Sequence, residues 1–354
     1  MIVSRGTTRA PRALLRCLVL AACLLSPAAM AQSREPQGCA PAPTSSLEVD
    51  VKTKGAKGDG ETDDTAAIQA AIEAAAGAGG TVLVPDGTFM VDAAGETPLS
   101  LKSDMVLKLS ARATLKALPN AAKKYAVLAI SGVSNVTVVG GTLQGDRDEH
   151  KGKSGEWGMG IRINHGASHV TVSGVTSQGM WGDGFYVDNA TDVKFCAVTA
   201  DRNRRQGLSI INADGVLVRN SVFKNTGGTR PGAGIELEPD KPKQGIANIQ
   251  IQGSKFLDNA GGGIGMSGKK GAISNIELTD NVFRGNRPIL VENAPDVLSS
   301  AICGNRQLSH PEEPSGGLSA FADPAEVVAL QNDCQEGSDV RFEVNRGKKG
   351  KHSK

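Results

Sequence analysis

Two columns of short apolar alternation recur along this chain, and they constrain its fold more than any other feature. In the first, a glycine or a substitute precedes an apolar-x-apolar triplet: Gly160-Ile161-Arg162-Ile163, Gly184-Phe185-Tyr186-Val187, Gly207-Leu208-Ser209-Ile210, Gly234-Ile235-Glu236-Leu237, Gly263-Ile264-Gly265-Met266 and Pro288-Ile289-Leu290-Val291. Successive members lie 24, 23, 27, 29 and 25 residues apart. In the second, a small polar residue or glycine leads the same alternation, as at Asn135-Val136-Thr137-Val138, His169-Val170-Thr171-Val172, Asp192-Val193-Lys194-Phe195, Gly215-Val216-Leu217-Val218, Asn248-Ile249-Gln250-Ile251 and Asn275-Ile276-Glu277-Leu278. A fixed period of this size marks a solenoid, whose units cannot bury their apolar face alone. Two short strands per coil, with Ile, Val, Leu and Phe inward and polar residues outward, predict an all-β, right-handed parallel β-helix with coils about 4.8 Å apart. An antiparallel sandwich would not need matching columns.

One helix is legible. Asp63-Asp64-Thr65 offers a cap, Ile68, Ile72 and Ala75 share a face, and Gly77 to Gly80 stops it. It is expected to cap the N-terminal end of the solenoid. Thr81 to Pro85 and Thr88 to Val91 read as strands on either side of an Asp86-Gly87 turn.

Composition narrows the partners. The 39 Lys and Arg nearly cancel the 37 Asp and Glu. That argues against a polybasic nucleic-acid binder, and 3% aromatics are too few to stack single-stranded bases along a groove. The 44 glycines in 354 residues follow no collagen period and so serve turns.

The ends carry other signals. Arg5, Arg9, Arg12 and Arg16 precede an apolar run from Cys17 to Leu25, and Ala29-Met30-Ala31 is a cleavage-type site. Residues 1–31 are therefore expected to be a signal peptide, too short to span a membrane, giving a secreted or periplasmic protein. Leu20-Ala21-Ala22-Cys23 resembles a lipobox, and lipid anchoring at Cys23 is the weaker alternative. Residues 32–49 read as a linker, 50–305 as the solenoid, 306–345 as a C-terminal capping segment and 346–354 as a basic, solvated tail. Export permits disulfides, and Cys303 with Cys334 is the expected pair because both lie near the C-terminal end. No CxxC or Cys/His cluster predicts zinc. A monomer is expected.

The segment Gly58-Asp59-Gly60-Glu61-Thr62-Asp63-Asp64-Thr65-Ala66-Ala67-Ile68-Gln69-Ala70-Ala71-Ile72, followed by Gly79-Gly80-Thr81-Val82-Leu83-Val84-Pro85-Asp86-Gly87, resembles the opening of the pectate-lyase-like right-handed β-helix superfamily. The resemblance runs from about residue 50 to 305. It implies a polysaccharide substrate, often acidic, and leaves the reaction open, because one scaffold hosts several chemistries. The superfamily's polygalacturonase pattern is only partly present. Trp181-Gly182-Asp183-Gly184 resembles its first acidic coil, Arg205-Gln206 stands where its next acidic pair falls, and its Gly-His-Gly and Arg-Ile-Lys motifs are not recovered.

Three insertions point to a working face. Thr226 to Pro231 precedes the strand bearing Glu236 and Glu238, Pro239 to Gly245 follows it, and Gly145 to Gly158 precedes the strand bearing Arg162. In a solenoid, extra chain is pushed outward, commonly beside the binding face. The residues projecting there include Arg162, Tyr186, Asp188, Glu236 and Glu238, with Asp183, Arg204 and Arg205 beside them. For elimination or epimerisation of a uronic acid, Arg205 is expected as base or carboxylate clamp and Tyr186 as proton donor. Asp183, Glu236 and Glu238 would then hold Ca²⁺, the one cofactor expected. For hydrolysis, Asp183, Asp188, Glu236 and Glu238 are the available carboxylates. His150 is a further candidate base, although a lone loop histidine is more often simply solvated. Trp157 and Trp181 are expected as sugar platforms, with Arg162, Asp188 and Arg204 as substrate contacts. The expectation leans to a polysaccharide lyase. A polygalacturonase- or rhamnogalacturonase-type hydrolase and a non-catalytic glycan-binding solenoid are the alternatives.

Overall fold

The computed structural model describes residue 1, Cys39, residues 45–94, 98–292 and 301–308, and two further strands at Glu326–Val328 and Phe342–Asn345. Two compact units divide the chain, Met1–Glu35 and Pro36–Lys354. Apart from Met1, everything described belongs to the second. The expected signal peptide, the lipobox and the basic tail lie outside the described residues.

The second unit is a right-handed parallel β-helix. Its strands form one 17-stranded sheet and one 10-stranded sheet, and every pairing is parallel except that of Glu326–Val328 with Phe342–Asn345. Each coil carries three strand faces, not the two expected. The first column pairs Ile161 with Phe185, Leu208, Ile235, Ile264 and Ile289 in turn. The second pairs Val136 with Val170, Val193, Val216, Ile249 and Ile276. The third runs through Thr142–Gln144, Thr176–Gln178, Thr199–Asp201, Val222–Lys224, Lys255–Leu257 and Val282–Arg284. Each of these short strands turns only its middle residue inward, too little to show a period of two. In the last three coils that residue is Phe223, Phe256 and Phe283, whose rings stack at 5.4 and 5.0 Å between centroids.

The small polar residue leading the second column has a conformational cause. Asn135, His169, Asp192, Asn248 and Asn275 all adopt φ between 49° and 58°. Asn and Asp tolerate this left-handed corner better than most residues.

The helix spans Thr65–Ala75 and buries Ile68, Ala71, Ile72 and Ala75 against the first coil. Asp64 sits at its N-cap position but turns back to the preceding loop, accepting from the backbone N–H of Lys57 (2.6 Å) and Gly58 (3.0 Å). Asp63 instead accepts from the N–H of Thr65 at 3.0 Å. Thr81–Val84 and Gly87–Val91 enter different sheets, so Asp86-Gly87 is a coil corner and not a hairpin.

Glu48–Asp50 already pairs with Thr81–Leu83, so the solenoid begins two residues earlier than expected. At the other end Phe342–Asn345 adds in parallel to Ile289–Glu292, which places part of the expected capping segment on the sheet. Cys39 is bonded to Cys196, a pairing across 157 residues that sequence reasoning missed. Cys303 is also disulfide-bonded, while Cys334, its expected partner, lies outside the described residues. Among the described residues no helix is long and apolar enough to cross a membrane.

Candidate active site

The outward residue of the first column changes from coil to coil: Ala129, Arg162, Tyr186, Ser209, Glu236 and Gly265 stand in register. Coils stacked about 4.8 Å apart thus bring residues distant in sequence into one ladder. Small residues at two steps create space in it. Ser209 leaves room for the guanidinium of Arg205, whose Nη1 lies 3.4 Å from Ser209 Oγ. Gly265 leaves room for the carboxyl of Glu236, since a Cβ there would fall 2.0 Å from Glu236 Oε2.

Arg205 is the hub. Its Nη1 donates to Asp183 Oδ2 at 3.1 Å, and its Nε lies 3.9 Å from Glu156 Oε1. Ser209 Oγ donates to the same Asp183 oxygen at 2.9 Å. Asp183 is wholly buried, and its Oδ1 has no hydrogen-bond partner. Burial accordingly pushes its pKa up to about 6, against the pull of Arg205 and Ser209. Burial works against the charge of Arg205, but Asp183, Glu156 and Glu238 more than offset it, and its pKa is raised.

Glu236 is 9% exposed, and burial and the neighbouring Glu238 push its pKa up to about 8. Burial and then Asp188 raise the phenol of Tyr186 above its ordinary value. The carboxyl of Asp188 is itself raised by burial and Asp240, and it accepts from Gln244 Nε2 at 3.3 Å. A bulge places Asp188 opposite Asn212 and not Ile211.

The inserted segments form the walls. Arg147 Nη1 donates to the Arg202 carbonyl at 2.6 Å, and the Thr229 N–H donates to the Arg204 carbonyl at 2.8 Å. Residues 145–158 and 226–231 thereby join along one edge of the ladder. Gln244, in the 239–245 insertion, contacts Asp188 on the other. Buried Asn203 and Asn259 hold the corners between: Asn203 Oδ1 accepts from Met180 N–H and Asn259 Oδ1 from Thr226 N–H.

Several expected substrate contacts are otherwise engaged. Trp181 is stacked on His150 at 4.0 Å between centroids on one side, and Arg204 Cζ lies 3.9 Å over the ring. It presents no free face to a sugar in this arrangement. Arg204 also donates to the Gly155 carbonyl at 2.9 Å, so it braces the 145–158 segment. The His150 side chain is fully buried, not solvated: Nδ1 is 2.8 Å from Asp146 Oδ2, and Nε2 has no partner. Asp146 is anchored in turn by the Tyr125 hydroxyl and by the Asn120 N–H at 3.1 Å. These supports were invisible in sequence because they depend on how 145–158 folds back.

Trp157 remains available, 41% exposed with Lys124 Nζ 4.7 Å from its ring centroid. Arg162 projects from the ladder with a buried, unpartnered Nε. Among the described residues no group of three His, Cys, Asp or Glu converges to hold a metal ion. The space between Asp183 and Glu238 is already served by the cation of Arg205, which does not favour the expected calcium site.

A walled ladder of acids and cations thus runs along one face of a right-handed parallel β-helix. Residues 48–278 match the family described as Rhamnogalacturonase A/epimerase, pectate lyase-like, and the chain belongs to that family. Mannuronan C5-epimerase AlgE4 of Azotobacter vinelandii is 38% identical over 151 residues, covering 39% of this chain and 27% of that protein. The solved A-module of AlgE4 matches with a TM-score of 0.52 at 24% identity, covering 73% of this chain and 87% of that one. An exopolygalacturonase from Thermotoga maritima matches with a TM-score of 0.58 at 16% identity, covering 70% and 69%. These two structural likenesses establish the fold alone. The chain spans less than half the length of the first curated relatives it matches.

Proposed function

We propose that this is an exported enzyme that takes the C5 proton from a uronate in an acidic polysaccharide and cleaves the chain by β-elimination. The observation that carries the reading is Arg205 lying over Ser209, between Tyr186 on one coil and Glu236 on the next but one. Arg205 binds the uronate carboxylate and stabilises the charge that develops on it. Glu236, ionised, takes the C5 proton. The electron pair forms the C4–C5 double bond as the C4–O bond breaks, and Tyr186 gives its proton to the leaving oxygen. Glu236 with a pKa of about 8 is a base matched to mildly alkaline conditions.

The burial of Asp183 argues against hydrolysis. A glycosidase needs two carboxyl groups flanking the bond, and Asp183 is spent on Arg205 and Ser209. Asp183 is instead a positioning residue. The AlgE4 relationship favours a second outcome of the same first step: return of the proton to the opposite face of C5 gives an epimer without cleavage. The Cys39–Cys196 bond supports an oxidising compartment.

The test is to incubate the protein with mannuronan, polygalacturonate and other acidic glycans, with and without calcium. New 4,5-unsaturated ends are the expected product. Inverted C5 centres without new ends would mean epimerisation, saturated reducing ends hydrolysis, and binding without change a lectin-like role. Either of the last two would overturn the proposal, and epimerisation without new ends would keep its first step and overturn the elimination.

A further inference from the structure

We propose that Glu156, on the inserted 145–158 wall, is a positioning residue for Arg205: its carboxylate receives the guanidinium Nε–H and so leaves the remaining N–H groups aimed at the carboxylate of a uronate. This deepens the reading above and rests on it.

Three adjacent coils bring the two residues together. The Gly182 N–H donates to the Gly158 carbonyl at 2.8 Å, and the Arg205 N–H donates to the Gly182 carbonyl at 3.0 Å. Gly182 lets the wall come this close, since a Cβ there would collide with the Glu156 carbonyl oxygen. Arg204 Nη1 donates to the Gly155 carbonyl at 2.9 Å. Neighbouring arginines thus engage consecutive wall residues, Arg204 through the backbone of Gly155 and Arg205 through the side chain of Glu156.

The guanidinium of Arg205 is only partly served. Its Nη1 donates to Asp183 Oδ2 and lies beside Ser209 Oγ. Its Nε is buried and has no hydrogen-bond partner, and Glu156 Oε1 stands 3.9 Å from it. Among the described residues the Glu156 carboxylate accepts no hydrogen bond either. A buried N–H without an acceptor is costly, and a shift of about 1 Å would bring this pair to hydrogen-bond distance. Such bonds are commonly long in a free enzyme and tighten when substrate binds. With Asp183 on Nη1 and Glu156 on Nε, the planar group is fixed at two points, and Nη2 is left for the substrate carboxylate.

The charge of Glu156 also reaches Asp183, which faces Arg205, Ser209, Glu156 and Tyr186. Burial is the main reason the Asp183 pKa stands at about 6, and Glu156 adds to it. A variant without that charge should therefore ionise Asp183 at lower pH.

The experiment measures kcat/KM against pH on polygalacturonate or mannuronan, whichever the native protein turns over, for four variants. Glu156→Ala removes the acceptor and should lower kcat/KM about 10²-fold, the scale of a small misplacement in a catalytic site. Glu156→Gln keeps an oxygen within reach of Nε and loses the charge. Its plateau should fall less than tenfold, while the limb near pH 6 moves to lower pH. Glu156→Asp keeps the charge and withdraws it by one methylene, so the limb should hold while the rate falls nearly as far as in Glu156→Ala. Asp148→Asn breaks the exposed pair with Arg202 on the same wall and should change neither rate nor limb. Equal melting temperatures across the set will show that the fold persists. Native rates and a native limb in Glu156→Ala and Glu156→Gln would overturn the inference while leaving uronan chemistry intact. So would losses in all four variants that run parallel to their melting temperatures, since those would mark a wall that is merely structural. No binding and no turnover of any uronan by the native protein would overturn the function reading and this inference together.

Discussion

Glu236 shows how a single side chain is set by its surroundings. Burial and Glu238 raise its pKa from 4.5 to about 8. The folded state therefore binds more protons than the unfolded chain between those values. The corresponding stability is complete below pH 4.5 and is lost as pH rises to about 8. Glu236→Gln, which cannot ionise, should melt close to the parent at pH 4 and roughly 3 °C or more above it at pH 9. Matching melting curves at pH 9 would show that the carboxyl is not held in its neutral form. The same variant should lose at least about 10²-fold in turnover, the usual scale for a general acid or base. Glu238→Gln removes a like charge and should move the alkaline limb of the rate profile to lower pH. Gly265 supplies the complementary test. A methyl there meets only the end of a flexible side chain, so Gly265→Ala should keep the fold and displace Glu236, with turnover falling while the melting temperature holds.

At the scale of the element, the strand columns were legible because each inward position repeats an apolar residue, as Ile161, Phe185, Leu208 and Ile235 do. The third column was not, because its strands offer one inward residue each, and in two coils that residue is Ser177 or Ala200. The ladder of Arg162, Tyr186 and Glu236 followed from the columns. The burial of Asp183 did not, because Arg205 reaches back across a coil to engage it, and neither did the stacking of Trp181 on His150, which depends on how residues 145–158 fold back. Gly182 marks that contact: a Cβ there would meet the Glu156 carbonyl at 2.1 Å and the Gly158 nitrogen at 2.9 Å, both backbone atoms. Gly182→Ala should destabilise the protein by roughly 1–3 kcal/mol, as overpacking does, read as a lower denaturation midpoint.

Across the whole molecule, the Cys39–Cys196 bond ties the segment before the first coil to a strand well along the solenoid, Phe185–Cys196. Closing a loop of 157 residues is expected to contribute about 5 kcal/mol. Replacing both cysteines by alanine should lower the unfolding midpoint without changing turnover at room temperature, since neither touches the ladder. An unchanged midpoint would mean that coil stacking alone fixes that segment. Stacking also explains the division of labour in the fold: the apolar interior repeats, while the outward ladder varies freely and accumulates an arginine, a tyrosine and a carboxyl on one ribbon.

The most direct measurement of the central claim is the pH dependence of kcat/KM on an acidic glycan. If Glu236 is the base beside the Arg205 clamp, the rate climbs through about pH 6 as Asp183 ionises and secures the arginine, and climbs again through about pH 8. A rate that instead falls through pH 8 would make Glu236 a proton donor and contradict the account.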